Sequence, residues 1–254
     1  MTGRTRDAFH RGKFWLTQPS DGHRAGMDAM MLSAAVPSGF CGRLADLGAG
    51  AGAAGLAVAA RCPKAHVVLI ENAPEMIKAA EITLADAEND AVAQRSTLLA
   101  ADVTLTGKAR AAAGMADNSF DFAVMNPPFN ARVDRASPDP LRRAAHMMPE
   151  GHFEAWLRTA AAIVKPRGGL AVIVRPQSLP ELLHALAGRF GRTEIMPIHP
   201  RREKPAIRIV ARAVRGSRAA LQLTPPLFLH EGGSDRFSAD ADTINNGRAS
   251  LFGD

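Results

Sequence analysis

Only two cysteines, Cys41 and Cys62, occur in the 254 residues, and they lie in no metal-ligand spacing. They are expected to be free thiols in a reducing, cytoplasmic setting. His10, His23, His146, His152, His184, His199 and His230 are scattered without zinc spacing, so no metal is expected. No apolar run reaches the roughly 18 residues of a membrane helix, and no membrane partner is expected. The opening stretch, MTGRTRDAFHRGKFW, has basic residues without an apolar segment of about 7–15 residues behind them, so a secretory signal is not expected. Internal repeats and long low-complexity tracts are lacking too.

What is present suits a full-sized core. Hydrophobic residues make up 46% of the chain and charged residues 22%, which fits one large α/β domain or two small ones. The net charge of +6 favours polyanionic partners, nucleic acid among them.

Short apolar runs alternate with helical stretches. Arg43–Gly50 reads as a buried strand entering a glycine turn, and Ala53–Cys62 as a helix stopped before Pro63. His66–Glu71, Ser96–Asp102, Ser119–Asn126 and Leu170–Arg175 read as further strands, with a helix from about Pro74. A helix is expected from about His152 to Val164. Another runs to about Ala187, with Ser178 and Glu181 spaced as a capping box. TEIMPIH and AIRIVARAV are candidate closing strands. This alternation implies a parallel sheet covered on both faces. Residues 131–150 are expected to form a long, arginine-bearing, proline-broken loop, a kind that is usually functional or mobile. After Thr224 the chain is rich in proline, glycine and asparagine, and an extended tail with little core is expected. The expected division is a lead-in over 1–40, a catalytic domain over 41–224 and a tail over 225–254.

The glycine loop admits two readings. Residues 50–55, GAGAAG, satisfy the dinucleotide pattern G-x-G-x-x-G, and Glu71 follows about twenty residues on, where a ribose hydroxyl would be held. Spacing alone therefore allows an NAD enzyme. It equally allows another adenosine-bearing cofactor. Asp46, before the first glycine, disfavours a pyrophosphate and suits the amino group of S-adenosylmethionine. Asp102, at the end of the third strand, is placed to accept from an adenine amino group.

VMNPPFN, residues 124–130, ends the fourth strand with two prolines. Ligands of open α/β sheets bind at the carboxyl ends of the strands, near the point where strand order reverses. The glycine loop and this motif should therefore face one crevice. There the Asn126 oxygen and the Pro127 carbonyl could each accept one N–H of a planar amino group. That would aim its nitrogen at a methyl sulfonium by positioning and preorganised electrostatics, without proton abstraction. The prolines fix that carbonyl, and Phe129 offers a flat face on which a flipped base can stack.

Those residues resemble the class I S-adenosylmethionine-dependent methyltransferases with an N-P-P-[FY] motif. Within them the chain is most similar to the bacterial tRNA adenine-N6 methyltransferases that act on a valine tRNA. The likeness runs from about Phe14 to Leu229. It includes HRAGMDAMMLSAAVP, where Gly26, Asp28 and Leu32 match the family pattern while Met27 and Ala29 depart from it. The resemblance implies a Rossmann-like fold with a seven-stranded, mostly parallel sheet, and S-adenosylmethionine as cofactor. It further implies that Asp28, Asp46, Gly48, Gly50, Gly52, Glu71, Asn72, Asp102, Val103 and Asn126 surround that cofactor. Asn126, Pro127 and Phe129 would form the acceptor site.

RNA, and tRNA in particular, is the expected partner. Arg132, Arg201, Arg202 and Lys204 are the candidate phosphate contacts, within an arginine-rich segment that also holds Arg208 and Arg212. The bland reading of that segment is a solvated sheet edge. Other acceptors meet the same motif: a glutamine amide of a translation factor, a ribosomal RNA guanine, or a small molecule. A dehydrogenase or a non-catalytic nucleotide-binding module fits the glycine loop but leaves residues 126–129 without a purpose. Nothing in the sequence fixes an oligomeric state.

Overall fold

A computed structural model describes residues 3–20, 24–127, 152–233 and 235–254. The chain opens with a hairpin, β1 (Arg4–Phe9) and β2 (Phe14–Pro19), followed by helix α1 (Met27–Ala34). The main sheet begins at β3 (Cys41–Leu47), and the chain continues through α2 (Ala53–Arg61), β4 (Lys64–Glu71), α3 (Pro74–Leu84), α4 (Asp90–Ala93), β5 (Ser96–Ala100), α5 (Gly107–Ala112) and β6 (Phe120–Met125). Then come α6 (His152–Ile163), β7 (Val164–Val174), α7 (Leu179–Leu186), β8 (Phe190–His199) and β9 (Arg208–Arg215). Two-residue strands β10 (Gln222–Leu223) and β11 (Leu227–Phe228) and helix α8 (Ala239–Asn245) close the chain.

The seven expected strands are β3 to β9. They lie in the order β8-β9-β7-β6-β3-β4-β5, with β10 and β11 both added beside β8. Pairing is parallel from β7 to β5, and β9 alone runs antiparallel to its two neighbours. Continuous apolar runs suit strands covered on both faces. In β4, Val67 to Ile70 are all buried, and α2, almost wholly alanine, leucine and valine, is buried nearly all round. One apolar cluster gathers α1, α2 and the C-terminal segment on one side of the sheet, and the other gathers α6 and α7.

Two expectations need correction. Ser178 makes no capping bond, because it sits in helical geometry inside a short 3-10 turn, and the helix instead starts with Pro180 in its first turn. The residues after Thr224 are not an extended tail. Leu227, Leu229, Ala241, Ile244 and Leu251 are buried, α8 packs on α1, and the Leu251 amide donates to the Ala34 carbonyl at 2.6 Å. The glycines and asparagines there close turns between short buried segments.

Candidate active site

Register places the site. Leu47 of β3 is paired with Ile70 of β4 and with Met125 of β6. The next residues, Gly48, Glu71 and Asn126, therefore emerge side by side at the carboxyl edge, about 5 Å apart from strand to strand. The strand order reverses here, since β3 lies between β4 and β6.

The glycine loop is shaped by backbone demands. Gly48, Gly50 and Gly52 have φ of 70°, 57° and 97°, the left-handed region that favours glycine. Nothing lies within 4 Å of where a Gly50 side chain would be, so a ligand can approach the backbone there. Gly55 does a different job. A side-chain carbon on it would come within 2.6 Å of Leu69 and 2.8 Å of Val67, so its absence lets α2 pack on β4.

Asp46 is oriented inward. It is buried, and its Oδ2 accepts from the Gly55 amide at 2.7 Å, capping the first turn of α2 from the strand beneath it. Burial outweighs that bond. Loss of hydration, helped by the nearby Glu71, pushes the Asp46 carboxyl up to about 7. Through Oδ2, Asp46 thus shapes the loop from below.

Glu71 holds the loop from the side. Its Oε2 accepts from Gly50 at 2.8 Å, and its Oε1 from Asn72 at 2.9 Å and Ala73 at 2.8 Å. A carboxylate offers about four acceptor positions, so one remains for a ribose hydroxyl. Asn72 is exposed beside it. Asp102 Oδ1 takes both the amide (2.7 Å) and the hydroxyl (2.8 Å) of Thr104, while its Oδ2 has no hydrogen bond among the described residues. The Val103 amide likewise has no acceptor among them, and its carbonyl accepts from Thr159 at 2.6 Å. A free carboxylate oxygen next to a free N–H matches the amino group and ring nitrogen of adenine.

Asn126 is half-buried and its side chain has no hydrogen bond among the described residues; Pro127 beside it is buried. Phe129 and Arg132 lie outside the described residues.

Other expected contacts are engaged elsewhere. Asp28, in the first turn of α1, accepts from Arg208 Nε at 2.7 Å. Arg212 bridges Glu194 at 2.8 Å and Asp254 at 2.7 Å. Arg201 pairs with Asp235 at 2.8 Å and donates to the Gly232 carbonyl at 2.6 Å. Arg202 and Lys204 are exposed, Arg202 lying 4.7 Å from the Phe228 ring centre. This loop is at the same carboxyl edge, but joins β8 to β9, two to three strands from β6 and roughly 10–14 Å away in the sheet.

A family model described as the methyltransferase small domain matches residues 26–199. The chain belongs to that family. This methyltransferase is similar to a solved protein described as a predicted O-methyltransferase, Atu636 from Agrobacterium tumefaciens. The identity is 44%, the TM-score 0.77, and 88% of this chain and 98% of that one are covered. Two further solved structures share its fold. One is M. jannaschii TYW2 in complex with AdoMet, at 10% identity and TM-score 0.56, covering 85% of this chain and 86% of that one. The other is the T. thermophilus 16S rRNA N2 G1207 methyltransferase RsmC in complex with AdoMet and guanosine. It has 22% identity and TM-score 0.52, with 84% of this chain and 50% of that one covered. A search of curated proteins finds no match. The fold, strand order and glycine loop are those of a class I methyltransferase, and S-adenosylmethionine is its cofactor. The open face of Gly50, the one free position on Glu71 and the free groups of Asp102 and Val103 fit that cofactor. No described helix is long and apolar enough to cross a membrane.

Sequence reasoning missed Thr159 and Trp156 of α6. The stretch GHFEAWL reads as an ordinary amphipathic helix, and only the packing brings these two side chains to Gly48 and Val103.

Proposed function

We propose that this methyltransferase acts on an amino nitrogen, the N6 amino group of an adenine in RNA, with tRNA as the RNA class. When bound, S-adenosylmethionine supplies an electrophilic methyl group on a sulfonium. The work of the chain is to hold the acceptor nitrogen in line with it. The observation that carries this reading is the half-buried Asn126, unpartnered among the described residues, next to Gly48 and followed by the buried Pro127.

An amino nitrogen on a base has its lone pair delocalised into the ring. Asn126 Oδ1 and the Pro127 carbonyl each accept one N–H, which aligns the nitrogen and favours a pyramidal geometry. Such acceptors act most strongly as positive charge develops during transfer. Phe129, by its sequence position, supplies the stacking face for a base flipped out of its neighbours. An oxygen acceptor, as the description of the Agrobacterium protein has it, calls for a general base at the hydroxyl. Asn126 and Pro127 offer hydrogen-bond acceptors but no basic group.

The net charge of +6 and the exposed Arg202 and Lys204 support RNA over a protein acceptor. Phosphate contacts release counterions, so RNA affinity should fall steeply with salt. The test is RNA binding across a salt series for the parent and for Arg202→Ala with Lys204→Ala. The expected result is weaker binding and a slope shallower by about two units, with cofactor affinity unchanged. Identical slopes would return the cluster to a solvated edge and favour a glutamine amide or small molecule.

A further inference from the structure

Trp156 stands half-buried on α6, whose Phe153, Leu157 and Ala160 enter the core. A side-chain carbon on Gly48 would lie 2.3 Å from Cη2 and 2.8 Å from Cζ3 of this indole. The tip of its benzo ring therefore rests on the backbone of the first loop glycine. Three residues on, along the same helix face, the buried Thr159 hydroxyl donates to the Val103 carbonyl at 2.6 Å. One helix face thus touches both loops that bracket the cofactor, the methionine side through Trp156 and the adenine side through Thr159. Glu154 ties the start of the same helix to Arg189 at 2.6 Å.

Gly48 lies beside Asn126, because Leu47 and Met125 are paired in neighbouring strands. A cofactor held on the glycine loop would offer its methyl group to an acceptor at Asn126 across the gap between these two residues. Trp156 stands at the Gly48 side of that gap. Aromatic rings attract cations, indole best of all. The sulfonium of S-adenosylmethionine is a cation; the thioether of S-adenosylhomocysteine is neutral.

We propose that Trp156 is a positioning residue for the sulfonium. Its ring walls the crevice at the methyl-bearing end and favours the charged cofactor over the neutral product. The proposal rests on the cofactor assignment and is independent of the nature of the acceptor.

The experiment measures S-adenosylmethionine and S-adenosylhomocysteine affinities by calorimetry for the parent, Trp156→Ala and Trp156→Phe. Alanine should weaken S-adenosylmethionine by about 3- to 30-fold, the range of a cation–π contact, and S-adenosylhomocysteine by clearly less. Phenylalanine should recover most of the loss. The chain has only two tryptophans, and Trp15 lies in the N-terminal hairpin beside Asn89. A Trp15→Phe background therefore isolates the emission of Trp156, which should change on saturation with either ligand. This second readout does not depend on the alanine variant folding. Equal losses for the two ligands, or emission unchanged at a saturation established by calorimetry, would overturn the proposal. Failure of the parent to bind either ligand would remove the cofactor assignment itself, a result distinct from binding without a change in emission.

Discussion

Replacing Asp46 by asparagine separates two effects that the structure combines in one side chain. Asparagine keeps an oxygen for the Gly55 amide, now 2.7 Å from Asp46 Oδ2, but cannot ionise. In the folded chain burial pushes the Asp46 carboxyl up to about 7, against an ordinary value of 3.8. Between those values the native carboxyl is protonated while the unfolded one is ionised. The native state then binds the extra proton, so its stability falls as pH rises through that window. At 1.36 kcal/mol per pH unit, the difference between about 7 and 3.8 corresponds to about 4 kcal/mol. Urea unfolding of parent and Asp46→Asn between about pH 4 and pH 8 checks this. Groups remote from Asp46 titrate alike in both chains, so their difference isolates Asp46 together with its coupling to Glu71. The parent should lose about 4 kcal/mol relative to the variant on going from pH 4 to pH 8. Stability curves that run parallel across this range would show that Asp46 ionises freely, and would refute the inward, desolvated carboxylate.

Further outcomes follow from the same contacts. Glu71→Ala should weaken cofactor binding and also lower stability by about 1–3 kcal/mol in urea unfolding, because three loop amides lose their acceptor. Asn126→Ala should reduce single-turnover methyl transfer by roughly 100-fold or more while leaving calorimetric cofactor affinity and unfolding midpoint nearly unchanged. Arg212→Ala breaks links to both Glu194 and Asp254 and should cost about 2–3 kcal/mol by urea unfolding. Removing the residues after Thr224 exposes the apolar surface covered by Leu227, Leu229, Ile244 and Leu251; a loss of about 5 kcal/mol or more is expected, read as a lowered melting temperature.

The core of the fold was legible because strands buried on both faces are written as unbroken apolar runs, and β3 and β4 are bounded by Gly48, Pro63 and Glu71, which the sequence displays. The glycine loop, Glu71 and Asp102 were legible for the same reason, since their positions at strand ends follow from the alternation of strand and helix. Orientation was not. That Asp46 points down to Gly55 depends on which way a strand-end side chain turns, and a one-dimensional pattern does not carry that. Ion pairs between distant elements were also hidden: Arg208 with Asp28 is separated by 180 residues, and Arg212 with Asp254 by 42, so the arginine-rich segment looked freer than it is. The C-terminal segment misled because its turn residues outnumber the few apolar ones that bury themselves against α1 and β8. Trp156 and Thr159 gave no motif at all; their place against Gly48 and Val103 is a product of helix packing.

The most direct test of the central claim is methyl transfer from S-adenosylmethionine labelled in its methyl group to tRNA from a strain lacking this protein, followed by digestion to nucleosides. The account predicts label in N6-methyladenosine, and its loss with Asn126→Ala. Label in an O-methylated nucleoside, in a glutamine amide of added protein, or in no macromolecule would contradict it.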